Sequence, residues 1–225
     1  MLSSLLAGEN IQNVIISLLL SIPIILFAFS FRETARGYIA YKLGDPTARD
    51  CGKLTLNPLK HFDIIGFLCM LLCGFGWAKP TPINSRNFKK PKRDIALTAA
   101  AGPISNILLA FVFAILWAVT YKYIFWVFYR MGGSALNIYY ALMLFLQLGV
   151  RLNVVLAVFN LIPIPPLDGS TILLMFLPPK VYWKVSQYQQ YIQIAFIFLL
   201  VFGVLDIPIS LVSDFVMNLI FKIVT

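Results

Sequence analysis

The chain has 225 residues, of which 60% are Ala, Val, Ile, Leu, Met, Phe, Trp, Tyr or Cys and only 12% are charged. Soluble globular domains have about 45–50% apolar residues even with glycine included, so this composition excludes a water-soluble monomer. The formal charge of +9 comes from basic residues in a few short stretches, as in multi-pass membrane proteins. Nucleic-acid binding is disfavoured, because the aromatic residues lie within the apolar runs instead of among the basic residues.

The apolar runs predict an all-α polytopic integral membrane protein with four to six transmembrane segments. A membrane helix needs about 20 apolar residues, and Ile11–Phe31 supplies 21 without a charge. We expect this first run to be a retained helix and not a cleaved signal peptide. The later predicted segments are Ile95–Phe128, Ala135–Ile162 and Leu167–Leu177. The last is either Tyr191–Leu205 or a longer stretch to Phe221 with a break near Asp206 and Pro208. One membrane domain is expected over residues 1–225.

A shorter apolar run, Phe62–Ala78, lies between two basic stretches, residues 32–60 and 79–94. If this run crossed the bilayer, one basic stretch would lie outside, against the positive-inside tendency. The run has 17 residues and three glycines, which favours a re-entrant segment that leaves both basic stretches on the cytoplasmic side. Alternating residues at 53–56 and 82–84 predict short strands at this membrane edge.

A charged cluster lies at the end of the first predicted helix. Arg32 and Arg36 are four residues apart and share a helix face, with Glu33 one residue round. An arginine at the end of a membrane helix ordinarily reaches outward to the interface and fixes topology. The alternative is an ion-paired or functional role, because charged groups in membrane segments are costly and often belong to a site.

Two further polar groups are predicted within the membrane region. Asn160 and Asp168 flank a proline-rich break between two apolar segments, and an acid at that depth is expected to be functional or ion-paired. Gly102, Pro103 and Asn106 form a structural group in the third apolar run, Ile95–Phe128. Its small residues let two helices approach closely, and Asn106 is expected to hydrogen-bond across them.

Five short sequence segments follow one another in a characteristic order along the chain. They are Gly37–Tyr38 with Tyr41–Ala48, then Gly52–His61, Gly76–Pro80, Ala101–Pro103, and Asn160–Gly169. Together they resemble the site-2 protease family of intramembrane zinc metalloproteases, in its compact form without an appended sensing domain. The likeness covers about residues 27–175, the core of the predicted domain.

The resemblance implies the roles of the site residues. The family's catalytic helix carries HExxH, in which two histidines bind zinc and the glutamate is the general base. The matching positions here are Arg32, Glu33 and Arg36, so the base is retained and both histidines are replaced by arginine. Asp168 matches the family's third zinc ligand. By the same resemblance, substrate-binding positions are Gly76, Trp77, Asn84 and Asn160.

The two arginines predict a site without a cofactor, although the family uses zinc. A guanidinium has a pKa above about 12 and no lone pair to offer a metal, and without zinc no water is activated for Glu33. We therefore expect no proteolysis from the chain as written. We also expect Arg32, Arg36 or both to pair with Asp168. The rival expectation is that the arginines reach outward and leave Asp168 solvated.

Three functions stay open at this point. The leading one is a pseudoprotease whose partners are the transmembrane segments of other proteins within the lipid bilayer, bound without cleavage. The second is an inactivated variant of an active intramembrane metalloprotease. The third is a transporter or channel, suggested by polar residues such as Arg151 and Asn153 within the spans. No repeated halves of the kind seen in secondary transporters are present.

Overall fold

The computed structural model describes residues 11–64, 66 and 78–225. Its helices are α1 (Ile11–Lys42), α2 (Thr47–Asp50), α3 (Pro58–His61), α4 (Pro91–Val119), α5 (Phe125–Met131), α6 (Ser134–Leu161), α7 (Asp168–Phe176), α8 (Pro179–Gln187), α9 (Gln189–Val201) and α10 (Asp206–Val224). A 3₁₀ turn covers Ser85–Asn87, and a π-helical turn, Thr120–Ile124, joins α4 to α5.

Four helices in the described part of the chain are long and apolar enough to cross a membrane. They are Val14–Lys42, Pro91–Met131, Ser134–Leu161 and Asp206–Val224. The prediction of an all-α polytopic membrane protein is confirmed at this level. The predicted ends are also close: α6 ends at Leu161, directly before the proline-rich break, and a break separates α9 from Asp206 at the start of α10.

The segments predicted at the membrane edge have a different outcome. Most of the predicted re-entrant segment lies outside the described residues, and so do Gly76 and Trp77. Residues 53–56 and 82–84 are described and do not form the predicted strands. Backbone donors in these loops are used elsewhere, because Lys53 N–H donates to Ala48 O at 2.9 Å and Asn84 N–H donates to a carboxylate oxygen of Asp45 at 2.7 Å.

Helix α4 occupies the centre of the bundle and packs against α1, α6, α7 and α10. Its contact with α6 and α10 is formed by a buried cluster of Ala110, Ala114, Val150, Val154 and Ile220. Alanines allow membrane helices to approach closely. Because α1 and α7 also contact α4, the bundle brings the charged end of α1 and the start of α7 to the same part of one central helix.

The turn after α1 is held by the buried carboxylate of Asp45. It accepts hydrogen bonds from Thr47 N–H at 3.1 Å and Asn87 Nδ2 at 2.7 Å, as well as from Asn84 N–H. Burial alone raises the pKa of Asp45, but the hydrogen bonds from Thr47, Asn87 and Asn84 outweigh it, so that this pKa lies below its ordinary value. The charged carboxylate therefore ties the turn to the loop before α4.

Candidate functional site

The shortest charged contact in the bundle interior joins α1 to α7. Arg32 Nη2 donates to Asp168 Oδ2 at 2.7 Å, and Arg36 Nη2 lies 3.6 Å from Asp168 Oδ1. The two arginines approach different oxygens of one carboxylate. The predicted pairing of the arginines with Asp168 is therefore present, and the rival expectation of outward-reaching arginines is wrong for this structure.

Glu33 completes the cluster from the same helix as the arginines. Its Oε1 accepts from Arg36 Nη1 at 3.3 Å and lies 3.8 Å from Arg32 Nη1. Its Oε2 accepts from Thr81 N–H at 2.8 Å, while Thr81 Oγ1 donates to the backbone oxygen of Glu33 at 3.1 Å. We call Arg32, Glu33, Arg36 and Asp168 the four-residue charge cluster. It holds two positive and two negative side chains, so its formal charge is zero.

The charge cluster is shielded from solvent. Glu33 and Asp168 are 2% and 5% exposed, and the side chains of Arg32 and Arg36 are 13% and 18% exposed. The Nε atoms of both arginines are buried without a hydrogen-bond partner among the described residues. Charges buried in this way are stable only when paired, so each carboxylate is needed to compensate for a guanidinium.

Two glycines permit the close packing around the charge cluster. A Cβ atom at Gly102 of α4 would lie 3.0 Å from Asp168 Oδ2 and 3.2 Å from Arg32 Nε. A Cβ atom at Gly169 would be too close to the backbone oxygen of Leu161. The structural role predicted for Gly102 therefore has a physical basis, since a larger residue would push the Arg32–Asp168 pair away from α4.

These residues do not fit a divalent metal ion. A metal ligand must supply a lone pair, which a guanidinium lacks, and one oxygen of each carboxylate already accepts from Arg32 or Arg36. Two adjacent cations would also repel a third. Among the described residues, no group of three or more His, Cys, Asp or Glu side chains is placed to hold a metal.

Two asparagines that were predicted to bind substrate make their hydrogen bonds outside the charge cluster. Asn160 is buried, and its Nδ2 donates within its own helix to Leu156 O at 2.7 Å. Asn84 is exposed in the loop before α4, where its side chain accepts from Arg86 N–H at 3.1 Å. The structure assigns neither asparagine a contact to the four charged residues, so their predicted role in substrate binding stays a prediction.

The structural group on α4 is only partly as predicted. Pro103 is buried inside the helix beside Gly102. Asn106 is fully buried, but neither Oδ1 nor Nδ2 has a hydrogen-bond partner among the described residues. The predicted interhelical hydrogen bond is therefore wrong for this structure. The physical reason is that Asn106 lies one turn before Ala110 on the face that packs into the apolar cluster.

Sequence reasoning missed Thr81 as a member of the site. Thr81 is 4% exposed and binds Glu33 through both its N–H and its hydroxyl. A single threonine between Pro80 and Pro82 has no periodicity to mark it. The one available signal was its position between Trp77 and Asn84, two residues predicted to bind substrate.

A model described as peptidase family M50 matches residues 37–202. A Bacillus subtilis (strain 168) protein named "Putative zinc metalloprotease YwhC" is 42% identical over 178 residues, covering 79% of this chain and 78% of that protein. A Methanocaldococcus jannaschii protein named "Putative zinc metalloprotease MJ0611" is 31% identical over 153 residues, covering 67% of this chain and 71% of that protein. No solved structure matches the chain. The family match begins one residue after Arg36 and includes Asp168.

Proposed function

The chain belongs to peptidase family M50, the site-2 protease family, and from that premise we propose that it is a zinc-free member that binds membrane-spanning segments without cleaving them. The observation that carries this proposal is the contact of Arg32 and Arg36 with Asp168. In the HExxH arrangement, histidines at i and i+4 and a third ligand converge on zinc. Here two side chains with that spacing converge on an acid, and both are cations.

The charge balance supports the absence of zinc. A site made of two neutral histidines and two carboxylates has a charge of −2 until a metal neutralises it. In the charge cluster, Arg32 and Arg36 supply two positive charges against Glu33 and Asp168. A further doubly charged cation would have to displace a guanidinium from a buried carboxylate, which costs several kcal/mol per unpaired buried ion.

The position of Glu33 supports the absence of peptide cleavage. A general base must be able to come within hydrogen-bond reach of the proton that it takes from a water or substrate. Both carboxylate oxygens of Glu33 are engaged, one by the arginines and the other by Thr81 N–H. Glu33 then acts as a structural acceptor that fixes the loop before α4, and it has no zinc-bound water to activate.

Binding of membrane segments is supported by the loop that precedes α4. Residues 78–84 lie in neither a helix nor a strand, and Asn84 at the end of this loop is exposed and has extended backbone angles. Strand addition depends mainly on backbone hydrogen bonds and tolerates varied sequences. The N–H groups of Lys79, Thr81 and Asn84 are already used within the protein, so a partner's segment would donate its own N–H groups to the carbonyl oxygens of this loop. A member of a protease family that has lost its metal chemistry keeps this recognition surface available for shielding or presenting a partner's membrane segment.

Zinc content tests the first half of the proposal. We expect chelator-washed protein in detergent to hold less than about 0.1 zinc per chain, and the double variant Arg32→His/Arg36→His to hold about one, because it restores two histidines beside Asp168, a donor set that binds zinc. The matched control is Arg49→His, which alters an exposed arginine outside the cluster. One tightly bound zinc in the unaltered protein would contradict the proposal.

Cleavage by the double variant distinguishes the second reading of the family resemblance. If Arg32→His/Arg36→His cuts a transmembrane reporter and the unaltered chain does not, the arginines alone silence an otherwise competent protease. That outcome favours an inactivated variant of an active metalloprotease. If the double variant binds zinc and still does not cut, the scaffold has further departures from an active enzyme, as expected for a dedicated binding protein.

Photo-crosslinking tests the binding half. A photoreactive residue at Asn84 is expected to crosslink to a transmembrane peptide, whereas the same residue at exposed Met131, at the far end of the α4–α5 run, is not. Equal yields at both positions would mean that the peptide contacts the protein surface without selectivity and would contradict the proposed binding at the loop before α4.

A further inference from the structure

A cavity of about 640 Å³ lies beside the charge cluster but is not lined by its four residues. Its walls come from the start of α4, from the proline-rich break with α7, and from the end of α8. Pro91 begins one membrane-spanning run and Leu161 ends another. The cavity therefore lies where two spans leave the hydrocarbon region, at the level of the lipid headgroups.

Among the described residues that line the cavity, Lys92 alone is charged, and no other described residue forms a salt bridge with it. The nearby acids are already occupied. Asp94 pairs with Arg93 at 2.8 Å, and Asp168 pairs with Arg32 at 2.7 Å. An uncompensated ammonium group at the wall of a cavity favours an anionic ligand over a neutral or cationic one.

The remaining wall has two chemical characters. Thr171 and Ser186, which carry hydroxyl groups, line the cavity with Lys92, and so do the apolar residues Ile95 and Leu174. A ligand that fits both parts carries a polar, negatively charged group and a hydrocarbon portion. Amphiphiles of this kind are concentrated at the membrane interface, where the ends of the spans place the cavity.

The size of the cavity separates a lipid from a small inorganic anion. Sites for organic ligands have volumes of about 300–1,000 Å³, and this cavity is within that range. Inorganic phosphate would occupy only a small part of it and would leave the apolar wall of Ile95 and Leu174 exposed to water. A phospholipid headgroup with the upper part of its acyl chains would cover both parts of the wall.

We propose that this cavity binds an anionic phospholipid, with Lys92 at the phosphate and the acyl chains along Ile95 and Leu174. Such a site is separate from the one proposed to bind a partner's membrane segment. Because α7 contributes to both the cavity and the charge cluster, a bound lipid would also rest against the helix that carries Asp168.

Native mass spectrometry with equal amounts of phosphatidylglycerol and phosphatidylcholine tests the proposal. We expect the protein to retain phosphatidylglycerol preferentially, and Lys92→Ala to lower that retention by about tenfold, as for loss of a charge-assisted hydrogen bond. Lys92→Arg should restore most of it. The matched control is Lys89→Ala, because Lys89 is exposed like Lys92, lies three residues earlier and does not line the cavity. Retention by this control should stay within about twofold of the unaltered protein.

A second variant guards against an indirect effect of Lys92. Thr171→Trp fills the cavity from α7 without changing charge, and it should lower phosphatidylglycerol retention while the melting temperature stays near that of Lys89→Ala. Equal retention in Lys92→Ala and the unaltered protein would overturn the proposal. So would equal retention of the two lipids, displacement of the lipid by millimolar inorganic phosphate, or preferential occupation by a neutral transmembrane peptide.

Discussion

Replacing Asp168 by alanine removes the only acid that joins α7 to the arginines of α1. In the intact protein, its two oxygens face Arg32 at 2.7 Å and Arg36 at 3.6 Å. After the substitution, Glu33 alone remains to balance two guanidinium groups, so the charge cluster changes from neutral to +1. Both arginine side chains are less than one fifth exposed, which leaves water little room to take over the lost interaction.

The expected loss follows from this burial. Breaking a buried ion pair by removing one partner costs about 3–5 kcal/mol, mainly because the other charge is left uncompensated. For chains of 150–250 residues, each kcal/mol changes the melting temperature by about 2–4 °C. Asp168→Ala should therefore lower the melting temperature by roughly 6–20 °C.

Intrinsic tryptophan fluorescence during thermal unfolding in detergent measures the effect. Asp50→Ala is the matched control, because Asp50 pairs with Arg49 at 2.9 Å and both side chains are more than half exposed. Exposed pairs contribute about 0–1 kcal/mol, so this control should melt within a few degrees of the unaltered protein.

A compensating double variant makes the explanation refutable. Arg32→Met/Asp168→Leu removes one charge of each sign and leaves Arg36 paired with Glu33. It should melt above Asp168→Ala, because replacing both partners by apolar groups avoids an uncompensated charge. If Asp168→Ala melts no lower than Asp50→Ala, the carboxylate does not bridge the two helices. If the double variant melts below Asp168→Ala, lost packing and not lost charge balance explains the result.

Three further variants test the surroundings of the cluster. Gly102→Ala should cost about 1–3 kcal/mol by overpacking, since its Cβ would lie 3.0 Å from a carboxylate oxygen, and a melting temperature unchanged from the unaltered protein would refute this. Glu33→Gln also changes the charge cluster to +1, and its one amide oxygen cannot replace both carboxylate oxygens at Arg36 and Thr81. It should cost about 3–5 kcal/mol, as for the loss of one partner of a buried ion pair; thermal unfolding in detergent measures the loss, and an unchanged melting temperature would contradict it. The pKa of Asp45 is lowered in the folded protein, so its contribution to stability is complete above its ordinary pKa of about 3.9 and is lost as the pH falls through the folded value. The melting temperature should therefore fall less with acidification in Asp45→Asn than in the unaltered protein, and an equal dependence on pH in both would count against this.

The membrane helices were predictable because a long apolar run has few alternative structures. The run at 135–162 became α6 at Ser134–Leu161, since prolines directly after it prevent the helix from continuing. The first run was predicted only to Phe31, but α1 continues to Lys42. Hydropathy ends a segment at its first charge, whereas here the charges stay on the helix because partners from α7 and the loop before α4 compensate for them.

The candidate site was predictable only where charge alone constrained it. An acid at membrane depth and two arginines one turn apart on another helix have few ways to avoid an unpaired burial, so their pairing was expected. Thr81 and the hydrogen bonds around Asp45 depend on loops that cross back over α1 after 39 to 48 residues. No local sequence pattern indicates which carboxylate will accept a hydrogen bond from a loop N–H group. The hydrogen bond expected for Asn106 failed because hydrogen-bonding capacity does not ensure a partner on the facing helix.

The separation of the paired residues along the chain has a consequence for biogenesis. Arg32 and Asp168 are 136 residues apart, and translation adds about 5–20 residues per second. Asp168 is therefore synthesised about 7–27 s after the arginines of α1. During this interval Glu33 is the one acid of the charge cluster already made, so the end of α1 carries an excess positive charge. Positive charge at the end of a membrane helix generally favours the water interface and a fixed orientation of the helix, and in the finished protein the same charges join α1 to α7.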